Sequence, residues 1–288
     1  MSTAYLGPPG TFSEEAALAR VGVDGELIAF ASFPALVSAV ETGLATEAVL
    51  PIENSIEGSV STTLDLLIHE TPLKIAAEIV VPVRHFLVTA PGKGFGDVRV
   101  VTSHPQALGQ CRRFLERCLP DAEQEAALST SGAVREAAAG DGTRAGIGTA
   151  RAAELYGGVI IARDIQDVRA NLTRFVVLAP ADAPPTGGDK TSLGFTVKTN
   201  IPGALHAVLG EFAAENMQLT KVESRPTKGW LGDYVFLADM EGHRLDPPVA
   251  RALERIGDKC GLLKVFGSYP RFPVETLREV VETSVLER

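Results

Sequence analysis

Cysteine is scarce in this chain. Its 288 residues include three, Cys111, Cys118 and Cys260, an odd number without a close pair. That usage fits a reducing cytosol. The opening segment "MSTAYLGPPGTFSEE" has no basic stretch leading into an apolar one, so no secretory signal is expected and the chain reads as cytoplasmic. Long hydrophobic runs are also missing. The longest, such as "LKIAAEIVVPV" at 73–83, are too short and too interrupted to span a bilayer. Runs of Lys and Arg are absent, and the net charge is −9. Neither nucleic acid nor an acidic membrane is therefore an expected partner. The same negative field opposes anionic ligands at long range. An anion site has to be built locally, from helix N-termini, hydroxyls and a few arginines.

Catalytic signatures are thin as well. The sequence holds no G-x-S-x-G elbow, no His/Cys/Asp set at metal spacing, no P-loop and no G-x-G-x-x-G after a strand. No nucleophile, metal or cofactor is expected.

What is present is a chain that is 45% hydrophobic with balanced charge, enough for a real core in one large domain or two ordinary ones. Up to residue 180, short apolar runs alternate with helical patterns. "ELIAFA" precedes "FPALVSAVETG", "EAVLPI" precedes "SVSTTLDLLIHE", "VRVVTS" precedes "HPQALGQCRRFLERC", and "RAGIGT" precedes "ARAAELYG". That order predicts an α/β domain with mostly parallel strands, and ligands gather where such strands end at helix N-termini. Residues 181–189 are rich in Pro, Gly and Asp and read as a flexible linker. Residues 190–273 follow the order β-α-β-β-α-β, the ferredoxin-like arrangement. The tail, 274–288, is expected to form a short helix and carries no assigned function.

Polar clusters sit at four strand-to-helix junctions. In "GPPGTFSEEAA", Thr11 and Glu14 fit a capping box. In "PIENSIEGSV", Glu53, Asn54 and Ser55 stand at the mouth of an apolar strand, or in an ordinary loop. In "SHPQALGQC", Ser103 and Gln106 fit a second capping box, Gln110 shares a helix face with Gln106, and His104 is either a base or a cap. In "NLTRFVVLAP", Asn171-Leu172-Thr173 matches a sugar acceptor, but a cytosolic chain never meets that machinery. Thr173 and Arg174 are then a hydroxyl beside a guanidinium, suited to an anion or to a solvated strand end. Together these clusters describe a neutral, donor-rich site for an anionic small molecule.

The four motifs, in this order and spacing, resemble the prephenate dehydratase catalytic domain. "IPGALHAVL", "ESRP" and "YVFLADMEGH" resemble its regulatory ACT domain. The likeness extends to about residue 273, and because the first dehydratase motif stands at the start of the chain, a fused chorismate mutase is not expected. The resemblance implies a two-lobed, periplasmic-binding-protein-like catalytic domain with the site between its lobes. It implies conversion of prephenate to phenylpyruvate, water and carbon dioxide in phenylalanine biosynthesis. Catalytic roles carry over to Thr173, Glu53, Asn54, Ser103 and Gln110. Substrate contacts carry over to Thr11, Ser55, Gln106, Thr130, Ser131, Arg174 and Phe175. An ACT domain implies feedback inhibition by L-phenylalanine at Asn200, Gly203, Ala204, Leu205, Glu223, Ser224 and Arg225, between subunits of a homodimer or homotetramer. An arogenate dehydratase and a non-catalytic amino-acid sensor are the alternative readings.

Overall fold

The computed structural model describes residues 2–22, 25–227, 232–273 and residue 276; the expected tail helix lies outside the described residues. The first lobe contains β1 (Ser2–Leu6), α1 (Phe12–Val21), β2 (Glu26–Phe30), α2 (Phe33–Glu41), β3 (Glu47–Asn54), β4 (Gly58–Ser59), α3 (Ser61–Asp65) and β5 (Lys74–Pro82). The second contains β6 (Phe86–Thr89), β7 (Val100–Ser103), α4 (Pro105–Gln110), α5 (Arg112–Cys118), β8 (Glu123–Ala126), α6 (Thr130–Ala139), β9 (Arg144–Gly148), α7 (Ala150–Tyr156) and β10 (Val159–Ala162). The chain then returns as β11 (Leu172–Ala179), which inserts between β3 and β5 of the first sheet.

That return changes the expected topology. β1, β2 and β3 are parallel, but β11 runs antiparallel to both its neighbours because it arrives from the far lobe. The second sheet, ordered β10-β6-β9-β7-β8, is likewise mixed, with parallel strands on one side and antiparallel on the other. The chain thus crosses between lobes twice, at 83–85 and 163–171. Continuous apolar strands such as "EAVLPI" and "FVVLA" are covered on both faces. Leu50 and Leu178 point into one core layer, and Val49, Phe175 and Val177 into another.

The third unit is β12 (Asp189–Val197), α8 (Ala204–Ala214), β13 (Leu219–Pro226), β14 (Tyr234–Glu241), α9 (Pro247–Gly257) and β15 (Cys260–Pro270). Its antiparallel sheet is ordered β13-β14-β12-β15, the ferredoxin-like order. This unit is docked, and the segment before it is held. Asp182 accepts from the Ser268 N–H, and the Ala183 carbonyl meets His243. Val235, Leu237, Phe266 and Tyr269 complete the same core layer as Leu50, Ile75 and Leu178. Gly267 lies against Ile75, where a side-chain carbon would run into backbone, so the β15 backbone approaches β5 directly.

Candidate active site

A cavity of about 480 Å³ lies between the two lobes. Thr11, Pro51, Asn54 and Phe175 from the first lobe line it, with His104, Gln106, Gln110 and Thr130 from the second. The N-terminal residues of α1, α4 and α6 all face it, so unpaired backbone N–H groups converge there. The lining contains no lysine or arginine among the described residues.

Local geometry explains who faces inward. Thr173 and Phe175 alternate along β11 and share the cleft face. Opposite them, β3 carries one extra residue: Thr173 pairs with Asn54 and Arg174 with Glu53, but Phe175 pairs with Pro51. This bulge lets Asn54 and Pro51 both face the cleft. Glu53 and Arg174, each next to a cleft residue in its own strand, stand on the other face.

Glu53 and Arg174 were therefore expected in the cleft and stand outside it. Arg174 Nη2 lies 2.9 Å from Glu53, and its Nη1 lies 3.0 Å from Asp239 and 3.4 Å from Glu78. Lys221 Nζ lies 3.1 Å from the other Glu53 oxygen. Burial pushes the Glu53 carboxyl up, but Arg174 and Lys221 outweigh it and hold the group below the ordinary carboxylate range. Glu53 is thus tied to two cations and faces away from the cleft.

Asn54 is held firmly. Its Oδ1 accepts from the backbone N–H groups of Ile56 and Glu57, both at 3.0 Å. The two hydrogens of its Nδ2 go to Asn171 Oδ1 at 2.8 Å and Thr173 Oγ1 at 2.9 Å, the shorter contacts, with the Leu172 carbonyl at 3.2 Å sharing one of them. Because Thr173 accepts from Asn54, its own proton is free to donate elsewhere. Gln110 reaches the same group from the second lobe, since its Oε1 accepts from Asn171 Nδ2 at 3.1 Å and meets His85 Nε2 at 2.9 Å. Thr173, Asn54, Asn171, Gln110 and His85 form one connected chain of hydrogen bonds.

Other predicted residues have structural work. Ser103 is fully buried and donates to the Ile147 carbonyl at 2.7 Å, because it ends β7 rather than starting α4. His104 is the cap, accepting from the Gln106 N–H through Nδ1. Ser131 is buried and donates to the Pro9 carbonyl, which joins the lobes. Ser55 donates to the Ala170 carbonyl and accepts from the Leu172 N–H, pinning the second crossing. Thr11 caps α1 as expected, accepting from Glu14 N–H, but the Glu14 carboxylate reaches one residue further back, to the Gly10 N–H at 2.6 Å. Asn171 and His85 are the members that motif reading missed. Asn171 was weighed only as a sugar acceptor. The usable signal for His85 was a polar residue trapped between two apolar runs, "AEIVVPVRHFLV".

In the C-terminal unit, Glu223 and Arg225 also face away from where an effector was expected. Lys221, Glu223 and Arg225 alternate onto the face packed against the first lobe, where Glu223 accepts from Ser59 at 2.5 Å and Arg225 pairs with Asp65 at 3.1 Å. Ser224 lies on the opposite, exposed face. Gly203, at φ 87°, turns the chain into α8, and Asn200 donates to the Gly232 carbonyl beside it.

A model of the prephenate dehydratase family matches residues 3–183. This span includes both lobes and every residue of the cleft. The chain belongs to the prephenate dehydratase family. A bifunctional chorismate mutase/prephenate dehydratase of Aquifex aeolicus is 42% identical over 271 residues, covering 94% of this chain and 74% of the relative. Among solved structures, an Arthrobacter aurescens prephenate dehydratase in complex with L-Phe superposes with a TM-score of 0.86 at 32% identity, covering 99% of both chains. A structure presented as a novel type of quorum quenching acylase reaches a TM-score of 0.84 at 33% identity, covering 96% of this chain and 100% of the other. In this member of the prephenate dehydratase family, the "NLTRF" stretch thus splits its work: Thr173 lines the cleft and Asn171 joins its hydrogen-bond chain, while Arg174 pairs with Asp239 of the C-terminal unit.

Proposed function

We propose that the chain is a prephenate dehydratase: it converts prephenate to phenylpyruvate, water and carbon dioxide. The observation that carries this reading is the Thr173 hydroxyl, whose acceptor side is taken by Asn54 so that its proton can donate into a cleft lined by no lysine or arginine among the described residues. In the reaction the ring C4–O bond breaks as the C1–carboxylate bond gives its electron pair to the ring. The product is aromatic, so the driving force is internal to the substrate. The protein has to hold two carboxylates and stabilise a departing oxygen. The N-termini of α1 and α6 suit the carboxylates. A hydrogen bond from Thr173 that strengthens as charge grows on the leaving oxygen suits the second task. The oxygen leaves as water after taking up one proton.

Acyl transfer, as in the similar acylase, needs a hydroxyl whose proton a neighbouring base removes. The side-chain partner of Thr173 is the Asn54 amide, a donor, which does not favour that chemistry. Incubating the protein with prephenate, and separately with arogenate, tests the assignment. Phenylpyruvate from prephenate is the expected product. Faster formation of phenylalanine from arogenate would reverse the substrate assignment.

We also read the C-terminal unit as an ACT domain that takes L-phenylalanine. The βαββαβ order and the L-Phe complex of the similar Arthrobacter aurescens structure support this. Asn200, Gly203, Ala204, Leu205 and Ser224 are the residues assigned to the effector; Glu223 and Arg225 act instead in docking. Ile201, ahead of α8, and Val222, on the edge strand β13, are 59% and 49% exposed and suit a second copy of the chain, so a cytoplasmic homodimer or homotetramer is the expected assembly.

A further inference from the structure

The hydrogen-bond chain fixes the state of its last member. Asn54 Oδ1 accepts from two backbone N–H groups, which cannot themselves accept, so the orientation of this amide is determined. Its Nδ2 must then donate to Asn171 Oδ1. Asn171 in turn must present Nδ2 to Gln110 Oε1. Gln110 Oε1 is an acceptor, so His85 Nε2, 2.9 Å away, must carry a hydrogen. Burial pushes the His85 ring towards its neutral form, against the opposing pull of Gln110. In neutral imidazole with Nε2 protonated, Nδ1 is a bare lone pair.

That lone pair has no partner among the described residues, although His85 is only 2% exposed. Its ring is held edge-on by Phe12, 5.6 Å between centroids, and it lines the same cavity as Thr173. A buried acceptor left empty is costly, and such groups in native proteins are usually filled by a ligand or water. The reading of the cleft as a prephenate site supplies the ligand. Both carboxylates and the ketone of prephenate are acceptors at neutral pH. Its one donor is the ring hydroxyl.

We propose that His85 Nδ1 accepts the hydrogen bond of the substrate's ring hydroxyl and so selects for substrates that carry it. With the hydroxyl proton turned towards His85, the lone pairs of the same oxygen are left for the Thr173 hydroxyl. The leaving group is gripped from both sides before its bond to carbon breaks. His85 transfers no proton in this scheme. It recognises and orients. A cleft built around a substrate hydroxyl discriminates strongly against an analogue lacking it, because the protein acceptor is then stranded.

Two isosteric variants separate this role from a merely structural one. In His85→Asn, the amide oxygen falls near the position of Nδ1 and keeps the acceptor, while the link to Gln110 is lost. In His85→Gln, the amide nitrogen falls near Nε2 and keeps the link to Gln110, while the acceptor is lost. Steady-state kinetics with prephenate should be combined with inhibition by its 4-deoxy analogue, and thermal unfolding should check that each variant is folded. The expected result is a loss of roughly 10- to 100-fold in kcat/KM for His85→Gln with inhibition by the deoxy analogue unchanged, and a smaller loss for His85→Asn. A folded His85→Gln enzyme with wild-type kcat/KM, or an Asn variant worse than the Gln variant, would overturn the assignment. If the wild-type protein does not turn over prephenate at all, the reading of the cleft has failed instead. Calorimetric binding of prephenate and its deoxy analogue to wild type and His85→Gln would still report on His85 alone.

Discussion

Arg174 and Asp239 join the strand that carries Thr173 to β14 of the C-terminal unit, 3.0 Å between Nη1 and Oδ2. The pair sits in a buried group with balanced charge. Glu78 meets both Arg174 and Lys190, and Asp239 accepts from Ser192, which meets Tyr269. Removing one member of a buried ion pair strands the others. Arg174→Leu is therefore expected to cost about 3–5 kcal/mol in urea unfolding. Asp239→Asn, which leaves Glu53 and Glu78 on the arginine, should cost less than Arg174→Leu. Equal stability of Arg174→Leu and wild type would show that the cluster adds nothing to docking.

Thr173 is expected to matter for rate, not for folding. Thr173→Ala should lower kcat by about 100-fold or more, the cost of one transition-state donor. Thr173→Ser keeps the hydroxyl and should retain far more activity. Asn54→Ala, which removes the amide that directs Thr173, should fall between them. A soluble Thr173→Ala protein with near-normal turnover would remove the residue from the site.

Glu15 gives a pH signature. Burial first, then the charge of Glu14, pushes its carboxyl from 4.5 up to about 7 against the pull of Arg151. A carboxyl whose pKa is raised on folding binds its proton more tightly in the native state. Its contribution to stability is thus full below the unfolded value and is lost as pH rises through about 7. Wild-type protein should lose stability between about pH 5 and 8. Glu15→Gln should flatten that loss and gain about 1–2 kcal/mol at pH 8, allowing for solvent screening of a partly exposed group. Parallel unfolding curves for the two proteins across this window would refute the assignment.

Part of the fold and of the site was legible in the sequence, and the rest depends on contacts between distant elements. Apolar runs located most strands but not β4 or the polar β8, and the β-α-β-β-α-β order of the C-terminal unit was legible because each element there has its own period and turn. Motif reading singles out Thr173, Asn54 and Gln110, and the fold joins them through Asn171 in one hydrogen-bond chain. Glu53 and Arg174 stand on the opposite face because neighbours along a strand alternate; that Pro51 joins Asn54 in the cleft depends on one extra residue in β3, visible only in the pairing of β11. Ser103 and Ser131 donate to backbone carbonyls, a use of a hydroxyl at a strand or helix end that local sequence does not distinguish from ligand binding. His85 acts through burial and an empty lone pair, and neither is a property of local sequence.

Phenylalanine sensitivity is the last expectation. Deleting the C-terminal unit is a poor test, because it would strip Phe266 and Tyr269 from the first lobe's core and strand the Arg174 cluster. Point variants on the exposed side are cleaner. Gly203 sits at φ 87° ahead of α8, with no side chain capping the helix. A free carboxylate suits those N–H groups. Gly203→Ala places a side chain in the left-handed region, costing about 1–2 kcal/mol if the turn is kept. Ser224→Ala removes a hydroxyl on the exposed face of β13. Neither residue touches the cleft. An effector must favour one arrangement over the other to act at all. If coupling is of the usual size, about 1–3 kcal/mol, phenylalanine weakens substrate binding roughly 5- to 150-fold. Both variants should raise the half-inhibiting phenylalanine concentration while kcat without effector stays unchanged. If that concentration instead stays fixed in both variants and shifts with Thr173→Ser, phenylalanine competes in the catalytic cleft, and the C-terminal unit is not its receptor.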